Sequence, residues 1–410
     1  MDQLENYKYT MESCNHCGQC KWLLSPKASG WDFAEICPIN QLYGFDAYSG
    51  QGMINIAKEV MNGTLHYGDG MEEMLYTCTA CGACDINCKN VRDMELLDTI
   101  LALREDCAKN GTLPEPLREM AEHVEKTHNI YGKPHAERFV WLPEDYEDDP
   151  DADTALFIGC AAAYQYPGIA TAAIKILKAG GVKFKLLHED EWCCGASLWR
   201  TGQAEAAEKL IRRNMEMFHR HGIRRVITAC AECFGALRGG YPRFCEMDLE
   251  VRHISEVAAE LLERGDLVIT GEHAPLKVTY HDPCMLGRLS EPYVPWEGEI
   301  RSFGLHVPEK QWRRGEHGVY APPRAVLNAI PGVETVEMVR NLEDSYCCGA
   351  GAGIASDVRD WASAERRREA KAVGAEAIVS CCPFCREALE AQGENALPYL
   401  DLAELLAGAL

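Results

Sequence analysis

No stretch of this 410-residue chain reaches eighteen apolar residues, so no segment reads as a membrane-spanning helix. The richest stretch, 155–177, is broken by Gln165, Pro167 and Lys175. The N-terminus has no apolar signal core. Positive charge is scarce: 41 Lys and Arg stand against 63 Asp and Glu, a formal net charge of −22. That balance excludes the basic footprint nucleic-acid binding needs. The basic pairs Arg212 and Arg213, Arg224 and Arg225, and Arg313 and Arg314, with the run Arg366 to Arg368, read as solvated helix faces or loops. No glycine-rich dinucleotide fingerprint follows a strand. Gly349-x-Gly351-x-Gly353 stands behind a Cys-Cys-Gly triplet and lacks the later spacing, so neither flavin nor nicotinamide is expected on this chain. Apolar residues at 47% and charged residues at 25% exclude a disordered chain. The expectation is a cytoplasmic protein that reaches a membrane only through a partner.

Cysteine is what the chain has in quantity. Its 21 cysteines are too few for a disulfide scaffold, and their clustered C-x-x-C spacing fits metal binding in a reducing compartment. Two sets of five share one plan: a single cysteine, a Cys-Cys-Gly triplet, then C-x-x-C. The first is Cys160, Cys193, Cys194, Cys230 and Cys233; the second is Cys284, Cys347, Cys348, Cys382 and Cys385. Five thiolates are one more than a tetrahedral ion or an ordinary cubane uses, which points to an unusual iron–sulfur site present twice. Structural zinc is the weaker alternative, because adjacent cysteines suit a bridged cluster better than a tetrahedral ion.

The N-terminal region holds eight more. Cys78-x-x-Cys81-x-x-Cys84-x-x-x-Cys88 has the bacterial ferredoxin spacing, with Lys89 where proline is usual. Cys14-x-x-Cys17-x-x-Cys20 precedes Cys37-Pro38. In such pairs each triple takes its fourth ligand from the other motif. Cys14, Cys17, Cys20 and Cys88 are therefore expected on one cubane [4Fe–4S] cluster, and Cys78, Cys81, Cys84 and Cys37 on a second. Zinc also uses C-x-x-C, but two triple motifs with a Cys-Pro favour iron.

The chain divides into residues 1–140, an acidic linker at 141–153, and two α/β units at 154–270 and 271–410. Helical stretches are read at 52–61, 93–107 and 116–126, then at 169–179 and 202–219. Strands are read at 155–159, 182–187, 225–229, 276–281 and 376–380. Strand and helix alternate after residue 154, which predicts parallel sheets with ligands at the carboxyl ends of strands. Cys160 to Cys193 spans 33 positions but Cys284 to Cys347 spans 63. The surplus is an insertion near 289–319, read as a surface elaboration or as a docking loop or substrate cover beside the second set. Cys107 and Cys245 read as small buried hydrophobes and Cys381 as an alternative ligand. Trp192 reads as packing that shields a cluster.

With these motifs the chain resembles the D-subunit family of heterodisulfide reductases, in which a ferredoxin-like module is fused to two cysteine-rich CCG domains. Tyr280-His281-Asp282-Pro283-Cys284-Met285-Leu286-Gly287-Arg288 and Cys347-Cys348-Gly349-Ala350-Gly351-Ala352-Gly353 carry the likeness. Iron–sulfur subunits of glycolate oxidase and the D subunit of class II benzoyl-CoA reductase complexes are related. The resemblance implies α+β and α/β architecture and a noncubane [4Fe–4S] cluster on each five-cysteine set. It also implies reduction of a disulfide, or oxidation of thiols, at Cys193, Cys194, Cys347 and Cys348. His281 is read as the adjoining proton donor. Other redox subunits, such as a flavoprotein or other electron carrier, are the expected partners, with a small-molecule or protein disulfide as substrate. The alternative is a non-catalytic electron-transfer subunit of a larger assembly of the benzoyl-CoA reductase type.

Overall fold

The computed structural model describes residues 3–24, 27–28, 30–68, 70–390 and 396–410. Its N-terminal part is helical. Pro38–Tyr43, Gly50–Met61, Ala83–Arg92, Leu96–Lys109 and Glu115–Thr127 pack around Met53, Ile54, Leu75, Ile100 and Leu103. Ser49 starts Gly50–Met61 by accepting from Gly52 N, which satisfies one free amide of the first turn.

Two parallel sheets follow. β1 (Thr154–Phe157), β2 (Arg225–Thr228) and β3 (Glu250–His253) lie in that order, with Ala155 opposite Val226 and Val226 opposite Val251. β4 (Leu276–Tyr280) leads the second lobe. β5 (Glu299–Arg301) and β6 (Leu305–Val307) form a hairpin in the insertion. β7 (Val333–Val336), β8 (Ala377–Ser380) and β9 (Tyr399–Asp401) join β4 in the order β7-β4-β8-β9. Helices cover the sheets, so β1 and β8 carry unbroken buried apolar runs: Ala155, Leu156 and Phe157 in β1, Ala377, Ile378 and Val379 in β8. Both lobes share one core. The last helix, Leu402–Ala409, packs on Pro167–Ala179 of the first lobe, where Lys175 Nζ donates to Ala407 O at 2.7 Å.

The strand expected at 182–187 shrinks to one bridge, Ala155 with Lys185. The next amide, Leu186 N, turns away from the sheet to Asp148 Oδ1 at 2.7 Å. The acidic run is thereby tied to the first lobe, and Asp148 Oδ2 also meets His188 at 2.5 Å.

The insertion reaches away from the second cysteine set. Its hairpin lies against the N-terminal helices, with His306 edge-on to Tyr9 at 5.9 Å, Lys310 on Glu95 at 2.9 Å and Arg313 on Asp98 at 3.3 Å. Its two ends stay beside that set: Leu289 N donates to Cys284 O at 2.9 Å, Val319 N donates to Leu286 O at 3.0 Å, and Gly315 lies against Arg288. Arg313 and Arg314 are thus tied to the protein, Arg314 through Asp93, rather than solvated. Arg366 is fully buried, because it lies on the inward face of Ser356–Ala372 with Val358, Ala362 and Ala370.

Candidate metal centres

The topology delivers cysteines to the carboxyl ends of the parallel strands. Cys160 follows β1 across Gly159, Cys230 follows β2, and Cys382 follows β8. Cys230 and Cys382 stand at the N-caps of Ala231–Gly235 and Pro383–Leu389. Gly159 has φ +77, and a Cβ there would lie 2.7 Å from Cys233 Sγ. The strand therefore needs glycine at that position to let the sulfurs close up.

All 21 cysteines are free. Eighteen gather into four neighbourhoods. Cys88 has Cys14, Cys17 and Cys20 as electrostatic neighbours. Cys84 has Cys78, Cys37, Cys20 and Cys81. In the first lobe hydrogen bonds link Cys160 to Cys193, Cys194 to both Cys193 and Cys233, and Cys233 to Cys230. In the second, Cys348 joins Cys347 and lies 3.4 Å from Cys385, which meets Cys382. Cys284 neighbours Cys347.

The neighbourhoods touch in sequence. Cys20 lies beside Cys84 and Cys37. Cys81 hydrogen-bonds Cys347 across the junction of the N-terminal part and the second lobe. Cys382 lies beside Cys230. Cys17, in the outermost group, is the single exposed thiol.

The donor set fits iron–sulfur clusters. Burial pushes most of these thiols up, Cys20 to about 11 and Cys284 to about 12, because a thiolate away from water needs a compensating cation. Cys194 goes the other way, to about 6, drawn down by hydrogen bonds from Cys193 and Cys233. Cys348 is likewise held well below the ordinary thiol range by Cys347 and Cys385. In each lobe the hydrogen bonds of neighbouring thiols thus converge on the second cysteine of the triplet.

Three buried arginines stitch the junction: Arg288, which ends the Tyr280 to Arg288 segment, and Arg200 and Arg104, which no sequence motif marks. Arg288 Nε donates to Cys81 O at 2.7 Å, and its Nη1 reaches Ser345 O at 2.6 Å. Arg200 donates to Thr79 O and Ala80 O, each at 3.1 Å, and pairs with Glu232 at 2.6 Å. Arg104 holds Cys78 O at 2.5 Å and Ala352 O at 3.2 Å. The glycine run lies against the same loop. Ala352 N donates to Thr79 O at 3.0 Å, and a Cβ on Gly351 would overlap Thr79 O. Guanidiniums at Arg200 and Arg288 put positive charge beside Cys284 and Cys347, where thiolates would gather negative charge. The one available signal is the place of Arg288, four residues past Cys284.

His281 has a ring nitrogen within 4.8 Å of Cys348 and Cys385 Sγ. Arg366 Nε donates to its Nδ1 at 3.1 Å. A guanidinium can only donate, so the ring proton sits on Nε2. Burial and Arg366 hold this ring well below the ordinary imidazole range, so it is neutral. Cys381 faces Tyr280, Oη to Sγ 2.9 Å, and burial keeps it a thiol. Cys107 is buried, whereas Cys245 is half-buried with its Sγ 3.6 Å from Tyr241 O. Trp192 stacks on His128 at 3.4 Å, under Arg213.

A cavity of about 310 Å³ opens between the lobes. Glu232, from between Cys230 and Cys233, and Phe384, from between Cys382 and Cys385, both line it, with Gly349 beside Cys348. Tyr131, Ser197, Thr201, Ser356, Arg359 and Glu387 add polar groups to its wall.

Residues 10–91 match the 4Fe-4S dicluster domain, and residues 154–238 and 305–390 match the cysteine-rich domain. The second cysteine-rich match begins beyond Cys284, about midway through the insertion. The chain is similar to the D subunit of the dihydromethanophenazine:CoB--CoM heterodisulfide reductase of Methanosarcina mazei, 34% identical over 98% of this chain and 94% of that protein. The Methanosarcina barkeri counterpart is 33% identical over the same shares. EtfAB:quinone oxidoreductase of Syntrophomonas wolfei is 27% identical over 94% of this chain and 52% of its own length.

Proposed function

The chain belongs to the family of heterodisulfide reductase D subunits, and from that premise we propose that it reduces a disulfide in the cavity between its lobes, or oxidises two thiols there. The coarse function is plain: it is an iron–sulfur electron-transfer subunit of the oxidoreductase class. The observation that carries the finer reading is that both five-cysteine sets are complete and that Glu232 and Phe384, from between the C-x-x-C cysteines of each set, line one cavity.

In this reading Cys14, Cys17, Cys20 and Cys88 hold one cubane, and Cys37, Cys78, Cys81 and Cys84 the other. Cys160, Cys193, Cys194, Cys230 and Cys233 hold one noncubane cluster; Cys284, Cys347, Cys348, Cys382 and Cys385 hold its twin. Bound clusters supply electrons singly, so two stations beside one cavity suit a two-electron bond cleavage. The disulfide R–S–S–R′ takes up two electrons and two protons and leaves as RSH and R′SH. Exposed Cys17 marks the input end, where a redox partner binds. The Cys81–Cys347 contact joins the dicluster part to the second lobe, and Cys382 with Cys230 joins that lobe to the first. Arg200 and Arg288 offset added negative charge at the crossing. His281, fixed with its proton on Nε2, is a neutral hydrogen-bond donor at the second set.

The Syntrophomonas relative, named for quinone chemistry, favours a second reading: a relay within a larger complex. The two separate on one assay. Iron-loaded full-length protein with reduced methyl viologen is offered a panel of disulfides. Turnover by the lone chain supports catalysis; electron transfer only with a partner present supports the relay.

A further inference from the structure

The segment from His128 to Arg138 lies outside every matched domain, yet it is built against the first cysteine set. His128 O accepts from Cys193 N at 2.9 Å. Asn129, fully buried beyond the end of Glu115–Thr127, shapes the turn that follows. Its Nδ2 donates to Thr127 O at 2.8 Å and Lys133 O at 2.7 Å, while its Oδ1 accepts from Tyr131 N at 3.0 Å and Lys133 N at 3.2 Å. The segment ends on Arg138, only 1% exposed, whose Nε and Nη2 donate to Glu191 Oε1 at 3.2 and 2.6 Å. Glu191 is fully buried two residues before Cys193, and it also accepts from Ile158 N and Gly159 N, each at 2.9 Å. One carboxylate therefore fixes the guanidinium to the backbone that leads into Cys160.

Two donors of this segment, Arg138 Nη1 and Tyr131 Oη, are buried with no hydrogen-bond partner among the described residues. A fold that buries unpaired donors calls for a reason. Both face sulfur. Cys193 and burial push the Cys160 thiol well up, and the Arg138 guanidinium, with Tyr164 on its other side, opposes them. Tyr131 has Cys160 and Cys230 as neighbours, together with Glu387. A thiol is a weak acceptor and a charged sulfur a strong one, so these donors are matched to thiolates.

We propose that Arg138 Nη1 and Tyr131 Oη donate hydrogen bonds to the sulfurs of Cys160 and Cys230 when the first set holds its cluster, and so raise the reduction potential of that centre. This rests on the cluster assignment above. Donors to ligating sulfur favour the reduced, more negative form. Glu191 balances the guanidinium's charge in place, so Arg138 acts through the hydrogen bond it gives. In the proposed route the first lobe is the last station, and a raised potential draws electrons to it. A segment that no cysteine motif marks thus tunes the end of the path.

Tyr131→Phe and Arg138→Lys test this in iron-loaded full-length protein, by potentiometric titration followed by electron paramagnetic resonance. The first removes a single oxygen; the second keeps a cation for Glu191 but withdraws the fork. The first-lobe centre is the one whose signal Cys194→Ser removes. In each variant its reduction equilibrium should shift about tenfold toward the oxidised form, about 59 mV lower for one electron, with iron content and the other centres unchanged. An unchanged potential overturns the claim for that donor. Loss of iron, or equal shifts at every centre, marks a structural role and overturns it as well. If Cys194→Ser removes no signal, the first set holds no cluster, and the cluster assignment falls together with the proposal.

Discussion

Cys348 and Cys194 carry the two depressed thiols, so they are where single substitutions separate the chemistry from the wiring. Cys348→Ser should abolish disulfide turnover while the dicluster signals persist in the electron paramagnetic resonance spectrum. Loss of every signal together would show that the four sets do not form independently. His281→Leu removes a donor from the second set. It should lower the midpoint potential of one centre by about tenfold in its reduction equilibrium, about 59 mV for one electron, with His281→Gln restoring most of it. Equal potentials in wild type and both variants would exclude the hydrogen bond. The thiols were legible as residues because their spacing repeats. Arg366, Arg200 and Arg104 were not, because a buried arginine looks like a surface arginine until the carbonyls that hold it are known. Arg366 gave one hint, sharing a helical face with Val358, Ala362 and Ala370.

Helices were the most legible elements. Those expected at 52–61 and 202–219 appear as Gly50–Met61 and Ala204–Arg220, because apolar periodicity and glycine stops are local signals. The strand at 182–187 failed since its pairing is decided at a distance, by Asp148. Helix Ile254–Arg264 has a cap no sequence rule anticipates, His253 Nδ1 accepting from Ser255 N at 3.2 Å. Burial holds His253 at about 3, while the unfolded chain takes up its proton near pH 6.5. Its contribution to stability is therefore whole above pH 6.5 and drains as pH falls from there toward 3, by up to about 1.4 kcal/mol per pH unit. His253→Asn keeps a capping side chain without this titration. Its urea midpoint should fall less steeply than wild type between pH 6.5 and 5; parallel curves would refute the assignment. The hairpin of β5 and β6 shows why insertions resist reading. Its length was plain, but its seat on Tyr9, Glu95 and Asp98 depends on partners more than two hundred residues away.

Across the whole molecule, the alternation after residue 154 foretold the parallel sheets, and the duplicated cysteine plan foretold two similar lobes. What it could not foretell is that the lobes share one core, or that Cys81 of the N-terminal part meets a cysteine of the second lobe, Cys347. Four sets predict about sixteen irons per chain and little zinc. Elemental analysis of anaerobically purified protein checks this, and abundant zinc would end the iron–sulfur assignment.

The junction of Cys81 with Cys347 has a consequence for biosynthesis. A ribosome makes the first lobe before the second, yet in the proposed route the second lobe's cysteines stand between Cys81 and Cys230. A chain stopped before Ala377 lacks Cys382 and Cys385, and so lacks the span that brings Cys230 into line. In the proposed route, partial translation products would then lose the step from Cys382 to Cys230.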